Sequence, residues 1–67
     1  MENILTIENV SKMLKMSKST IYKYSERNII PCFHIGTSLR FLEKEINDYI
    51  QKTIYDQRNQ NENQWRF

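Results

Sequence analysis

Cysteine, glycine, proline and tryptophan each occur once in this 67-residue chain. A single cysteine excludes an internal disulfide, and one histidine with no second thiol excludes a Cys/His zinc cluster. Cys32 therefore reads as a small hydrophobe beside Pro31, in a chain suited to a reducing cytoplasm. With Gly36 as its only glycine, the chain has no glycine-rich phosphate loop. No apolar run approaches the roughly 18 to 20 residues that cross a bilayer, and the opening Met-Glu-Asn-Ile-Leu-Thr lacks a basic n-region. Neither export nor a membrane partner is expected. A domain of this size buries only about 60% of its unfolded surface, which leaves little room for an enzymatic cleft. Cys32 lies away from any evident base and the acids sit on helix flanks, so no enzyme and no cofactor are expected.

What the chain does have is a concentration of positive charge. Net charge is only +2. Between residues 12 and 40, however, Lys12, Lys15, Lys18, Lys23, Arg27 and Arg40 face Glu26 alone, a local balance of +5, while the segments on either side lean acidic. A one-sign stripe suits a polyanion.

The hydrophobic pattern divides the chain into short elements. Thr6 is placed to cap a first helix running to about Lys15, with Ile7, Val10, Met13 and Leu14 on one apolar stripe and Ser11 and Lys12 toward water. After Lys15 and Met16, Ser17 caps a second helix over residues 18 to 26, in which Ile21 and Tyr24 turn inward. So brief a connection makes a helix-turn-helix, although the glycine usual in its turn is missing. Asn28 tolerates the left-handed backbone that ends a helix, and Ile29-Ile30-Pro31 leads into extended chain. Phe33 and Ile35, a turn at Gly36-Thr37-Ser38, then Leu39 and Phe41 predict a β-hairpin with these four apolar residues on one face, and His34 and Arg40 on the other. Glu43 to Glu45 open a third helix carrying Ile46, Tyr49 and Ile50. From Thr53 the composition becomes amide-rich, with disorder expected from about residue 57. The expected fold is mostly α with a small β-hairpin, a winged helix-turn-helix over residues 4–52, followed by a helix extension and polar tail over 53–67.

Five residues on the exposed side of the second helix are candidates for phosphate and base-edge contact. Lys18 and Lys23 neutralise phosphates in this reading, and Ser19 and Thr20 offer hydroxyls near the helix start. Tyr22 is broad enough to lie along a sugar-phosphate backbone. Arg27 at the helix end fits phosphate binding, and equally the helix dipole. On the hairpin, Arg40 suits a narrow groove or its flanking phosphates, with His34 a secondary candidate.

Leu5-Thr6-Ile7-Glu8, Ser17-x-Ser-Thr-Ile-Tyr, Ile30-Pro31 leading to Ile35-Gly36, Arg40-Phe41 and Ile46-x-x-Tyr49-Ile50 occur in an order that resembles the small excisionase-type DNA-binding domains related to the MerR superfamily. The match covers roughly three quarters of the chain, from Leu5 to about Lys52. It implies that the second helix enters the major groove and that the wing, residues 34 to 40 with Thr37 and Ser38 at its tip, lies on the backbone or adjacent minor groove. It further implies double-stranded DNA as partner, with an excisionase (recombination directionality factor) of a mobile element that bends DNA and helps an integrase as the leading role, and a small transcription regulator as the alternative. The wing turn departs from the pattern in lacking the extra Arg or Lys and the Trp often found there. A single copy reads about one half-site, so cooperative self-association along repeats is expected. A third role, of a different class, is a protein-interaction module anchored by Trp65 and Phe67 near the C-terminus.

Overall fold

The computed structural model describes residues 3–60, so Trp65 and Phe67 lie outside the described residues. Its elements are β1 (Ile4–Leu5), α1 (Ile7–Leu14), α2 (Lys18–Glu26), β2 (Phe33–Ile35), β3 (Ser38–Leu42) and α3 (Glu43–Gln60). The three helices and small antiparallel sheet, ordered β1-β3-β2, make a winged helix-turn-helix.

Local chemistry explains where the first two helices begin. The Thr6 hydroxyl accepts from the Asn9 amide at 3.2 Å while the Asn9 side chain accepts from the Thr6 amide at 2.9 Å, a reciprocal cap at the start of α1. Ser17 caps α2 by accepting from the Thr20 amide at 3.3 Å. The turn between them has no glycine, and Lys15 itself takes the left-handed conformation at φ 56°. Two bonds close that turn: the Met16 amide donates to the Ser11 carbonyl at 3.1 Å, and the Ser11 hydroxyl donates to the Met16 carbonyl at 2.7 Å. Ser11 is thus half-buried stitching rather than the water-facing residue expected. Asn28 adopts φ 59°, ending the second helical segment as anticipated.

The core takes one residue from each layer. Val10 of α1, Ile21 of α2, Ile30 of the following loop, Phe41 of β3 and Ile46 of α3 are completely buried. Leu14, Tyr24, Leu39, Tyr49 and Ile50 pack around them. Met13 is not part of this core: it lies at the solvent edge of the α1 stripe, 37% exposed.

Beyond Ser11 and Met13, three larger features differ from the expectation. Residues Ile4–Leu5 form a strand, Ile4 opposite Leu42 and Leu5 opposite Phe41, which makes β3 the central strand. The Asn3 carbonyl accepts from the Glu43 amide at 2.9 Å, tying this edge to the start of α3. Second, α3 continues to Gln60, through residues 57–60 where disorder was expected.

The third difference concerns the faces of the hairpin. Ile35 pairs with Ser38, so the loop is the two residues Gly36-Thr37, and Phe33 stands opposite Arg40 and His34 opposite Leu39. Cross-strand partners share a face, so a loop one residue shorter than expected turns β2 over. His34 lies on the side of Leu39 and Phe41, and Phe33 and Ile35 lie with Arg40. Accordingly Ile35 is 54% exposed and packs no core. Gly36 holds φ +63° at the first central position while Thr37 has no positive φ, the pattern of a type II′ turn. A Cβ at Gly36 would meet nothing within 4 Å. Gly36→Val therefore probes backbone strain without a clash, and is expected to lower unfolding free energy by about 1–2 kcal/mol in urea denaturation.

Candidate nucleic-acid interface

Helix α2 has a sealed side and an open side. Ile21 and Ser25 are buried and Tyr24 is half-buried, while Lys18, Ser19, Tyr22, Lys23, Glu26 and Arg27 are exposed. Spacing at 3.6 residues per turn produces this division, because Ile21, Tyr24 and Ser25 recur at i, i+3 and i+4. The open side carries two lysines, an arginine, a hydroxyl and an aromatic against one acid. Lys23 and Arg27, four residues apart, line one shallow surface hollow together with Tyr24 and Glu26.

The hydroxyls at the helix start are partly occupied. Thr20 is half-buried, with its Oγ1 2.8 Å from the Ser17 hydroxyl. Ser19 Oγ lies 3.4 Å from the same atom and is exposed. Thr20 is thus turned toward the N-cap, and Ser19 is the freer of the two.

The wing stands beside α2. A cleft of about 160 Å³ is lined by Tyr22, Ser25 and Glu26 from the helix and by Cys32, His34 and Leu39 from the hairpin side. His34 was expected on the outer face with Arg40; the register puts it on the helix-facing side, at the mouth of this cleft. The Cys32 thiol points to the Ser25 carbonyl at 3.8 Å, and the buried Ser25 hydroxyl has no hydrogen-bond partner. On the opposite hairpin face Arg40 is half-buried, and its Nη1 donates to the Leu39 carbonyl at 2.7 Å. Thr37 is exposed at the tip and Ser38 is half-buried at the end of β3. Of the sequence candidates, the structure brings Tyr22 and His34 to one cleft, groups Lys23 with Arg27, and sets Arg40 on the far face of the wing.

One charged residue at this site escaped sequence reasoning. Glu8, in the first turn of α1, accepts from the Lys18 ammonium at 3.3 Å, with both side chains more than half exposed. Its carboxyl is held below the usual carboxylate range, first by its backbone amide at the helix start, then by Lys18, with the Thr6 hydroxyl adding a smaller share. A depressed folded-state pKa contributes stability above the ordinary carboxylate range and loses it as pH falls through the folded value, so this contact is intact at neutral pH. The ten-residue separation left no local signal; only the meeting of the α1 and α2 N-termini creates the pair.

Among the described residues no group of three or more His, Cys, Asp or Glu side chains is placed to hold a metal ion, and no helix is long and apolar enough to cross a membrane.

Comparison with known proteins agrees with this geometry. Two Mycobacterium tuberculosis proteins, Rv0500A of strain H37Rv and MT0521 of strain CDC 1551, are each 26% identical over 53 residues, covering 79% of this chain and 68% of theirs, and their names mark them as candidate DNA-binding proteins. The uncharacterized Bacillus subtilis protein YvgK is 34% identical over 44 residues, 66% of this chain but only 14% of YvgK. No solved structure matches. The family described as "Helix-turn-helix domain" matches residues 4–54, and the chain belongs to it.

Proposed function

We propose that this chain is a sequence-specific binder of double-stranded DNA, inserting α2 into the major groove and resting the wing on the neighbouring backbone or minor groove. The observation that carries this is the open side of α2: Lys18, Ser19, Tyr22, Lys23 and Arg27 stand exposed on a helix whose other side is locked by Ile21 and Ser25, next to a projecting hairpin. Phosphate contacts from the cations fix orientation, and base edges are read by the short polar and aromatic side chains between them. The names of the mycobacterial relatives agree with such a role. It needs no catalytic group and no cofactor.

Within DNA binding, the excisionase role fits best: a small protein that occupies repeated half-sites at the ends of a mobile element, bends the DNA and assists an integrase. The combination of motifs from Leu5-Thr6-Ile7-Glu8 to Ile46-x-x-Tyr49-Ile50 supports it. Fluorescence anisotropy with duplexes from the gene's own flanks, at two salt concentrations, tests the binding, and a circular-permutation gel shift tests the bend. Saturable binding that weakens with salt and retards mid-fragment sites is the expected result. Binding confined to a promoter, without a bend, would make the protein a transcription regulator instead; no binding to any duplex would remove the reading altogether.

A further inference from the structure

The contact between Glu8 and Lys18 joins two elements at the edge of the proposed DNA face. Lys18 is the first residue of α2 and Glu8 lies in the first turn of α1, so the two helix N-termini, capped by Thr6 and Ser17, meet at this pair. The Glu8 Oε2 to Lys18 Nζ distance of 3.3 Å is that of an ammonium bound to an anionic oxygen. A DNA phosphate would offer Lys18 the same chemistry. Both side chains are more than half open to solvent, so the pair can be opened without disturbing the core. Among the described residues Lys18 is also the only exposed cation of α2 and its C-cap with an ion-pair partner: Lys23 and the C-cap Arg27 have none.

Resting on the DNA-binding reading, we infer that Glu8 is an intramolecular competitor for the DNA backbone, whose carboxylate holds Lys18 in the free protein and must release it when a phosphate binds. Two consequences follow from ion exchange. Freed Glu8 is left unpaired near the phosphates and recruits cations from solution, which offsets part of the counterion release that drives binding. Glu8 therefore weakens affinity and flattens its salt dependence, most strongly at low salt. An exposed pair of this kind has a small coupling, so the effect is a graded restraint of a few-fold rather than a lock. Glu8 acts through Lys18 as a positioning residue and contacts no DNA itself.

The test is a double-mutant cycle in the whole chain, reading anisotropy of a short, labelled, mixed-sequence duplex across a salt series. Glu8→Gln is expected to tighten binding by about two- to five-fold at low salt and to steepen the salt slope by up to about one unit. In a Lys18→Gln background the same substitution is expected to tighten binding clearly less, by the weak repulsion alone, and to leave the slope nearly unchanged. Circular dichroism of each variant confirms that the fold is retained. Equal tightening in both backgrounds would show general repulsion rather than competition for Lys18, and no tightening in either would show that the pair is irrelevant to binding; both overturn the inference. Failure of the unaltered chain to bind the duplex overturns the DNA-binding reading itself, and is thereby distinct from binding that is merely insensitive to Glu8.

Discussion

Phe41→Ala is expected to abolish cooperative unfolding at room temperature. Phe41 is the largest of the fully buried side chains and sits on the central strand, opposite Leu5 and within the cluster formed by Val10, Ile21, Ile30 and Ile46. Truncating a buried phenylalanine costs about 3–5 kcal/mol, the lost transfer free energy plus the cavity left behind. Domains gain roughly 0.05–0.15 kcal/mol per residue, which puts a chain of this length at about 3–10 kcal/mol. The substitution therefore removes most or all of the stability. Urea titration followed by circular dichroism measures it: the variant should show a sloping baseline with no cooperative transition, where the unaltered chain unfolds at a defined urea midpoint. Ile35→Ala is the matched control, because Ile35 alternates on the neighbouring strand yet stands 54% exposed. It should cost less than about 1 kcal/mol. Equal losses at the two positions would contradict the register of the hairpin.

That contrast marks where the fold was legible in the sequence. Capping is a local property of side chain and backbone, so Thr6, Ser17 and Asn28 announced the ends of α1 and α2, and the start of α3 at Glu43 was equally plain. Strand faces are set by turn length. A pattern of alternating residues on both sides of Gly36 is compatible with either a two- or a three-residue loop, and the choice moves Phe33, His34 and Ile35 to opposite faces. Ile4–Leu5 is a strand only because β3 offers it an edge; two residues carry no periodicity of their own. Lys15 shows another limit: tertiary bonds around Ser11 and Met16 hold a lysine where a glycine would have been the local signal. The polar end of α3 beyond residue 56 buries little and so carries no hydrophobic signal, whereas a helix satisfies its own backbone and can run on from the turn that the Lys52–Asp56 pair at 3.1 Å braces. At the site, the residues of α2 followed from helical period, but Glu8 beside Lys18 is a long-range consequence of how the two helices meet.

The largest functional effect is expected from removing two charges on α2. Lys18 and Lys23 are exposed on its first two turns, away from Ile21 and the core, so Lys18→Gln/Lys23→Gln should leave the fold intact. Each phosphate neutralised adds about 0.9 to the slope of log affinity against log salt, and near physiological salt each is worth a factor of about five. Because Glu8 already restrains Lys18, the double variant is expected to lose about 10- to 30-fold in duplex affinity and to flatten the slope by one to two units. Net charge falls by two, and bulk electrostatics alone would weaken binding somewhat. The matched comparison is Lys44→Gln/Lys52→Gln, which removes the same charge from exposed positions on α3. If α2 is the element that meets DNA, this second variant should lose less than about three-fold and keep its slope, since charges more than a Debye length of about 8–10 Å from the phosphates are largely screened. Losses of equal size would mean that the chain responds to DNA through its total charge, and the assignment of α2 to the groove would fall. Unequal losses locate the binding on the helix that the Ser17 cap starts and Ile21 anchors, with the wing beside it free to read the adjoining backbone.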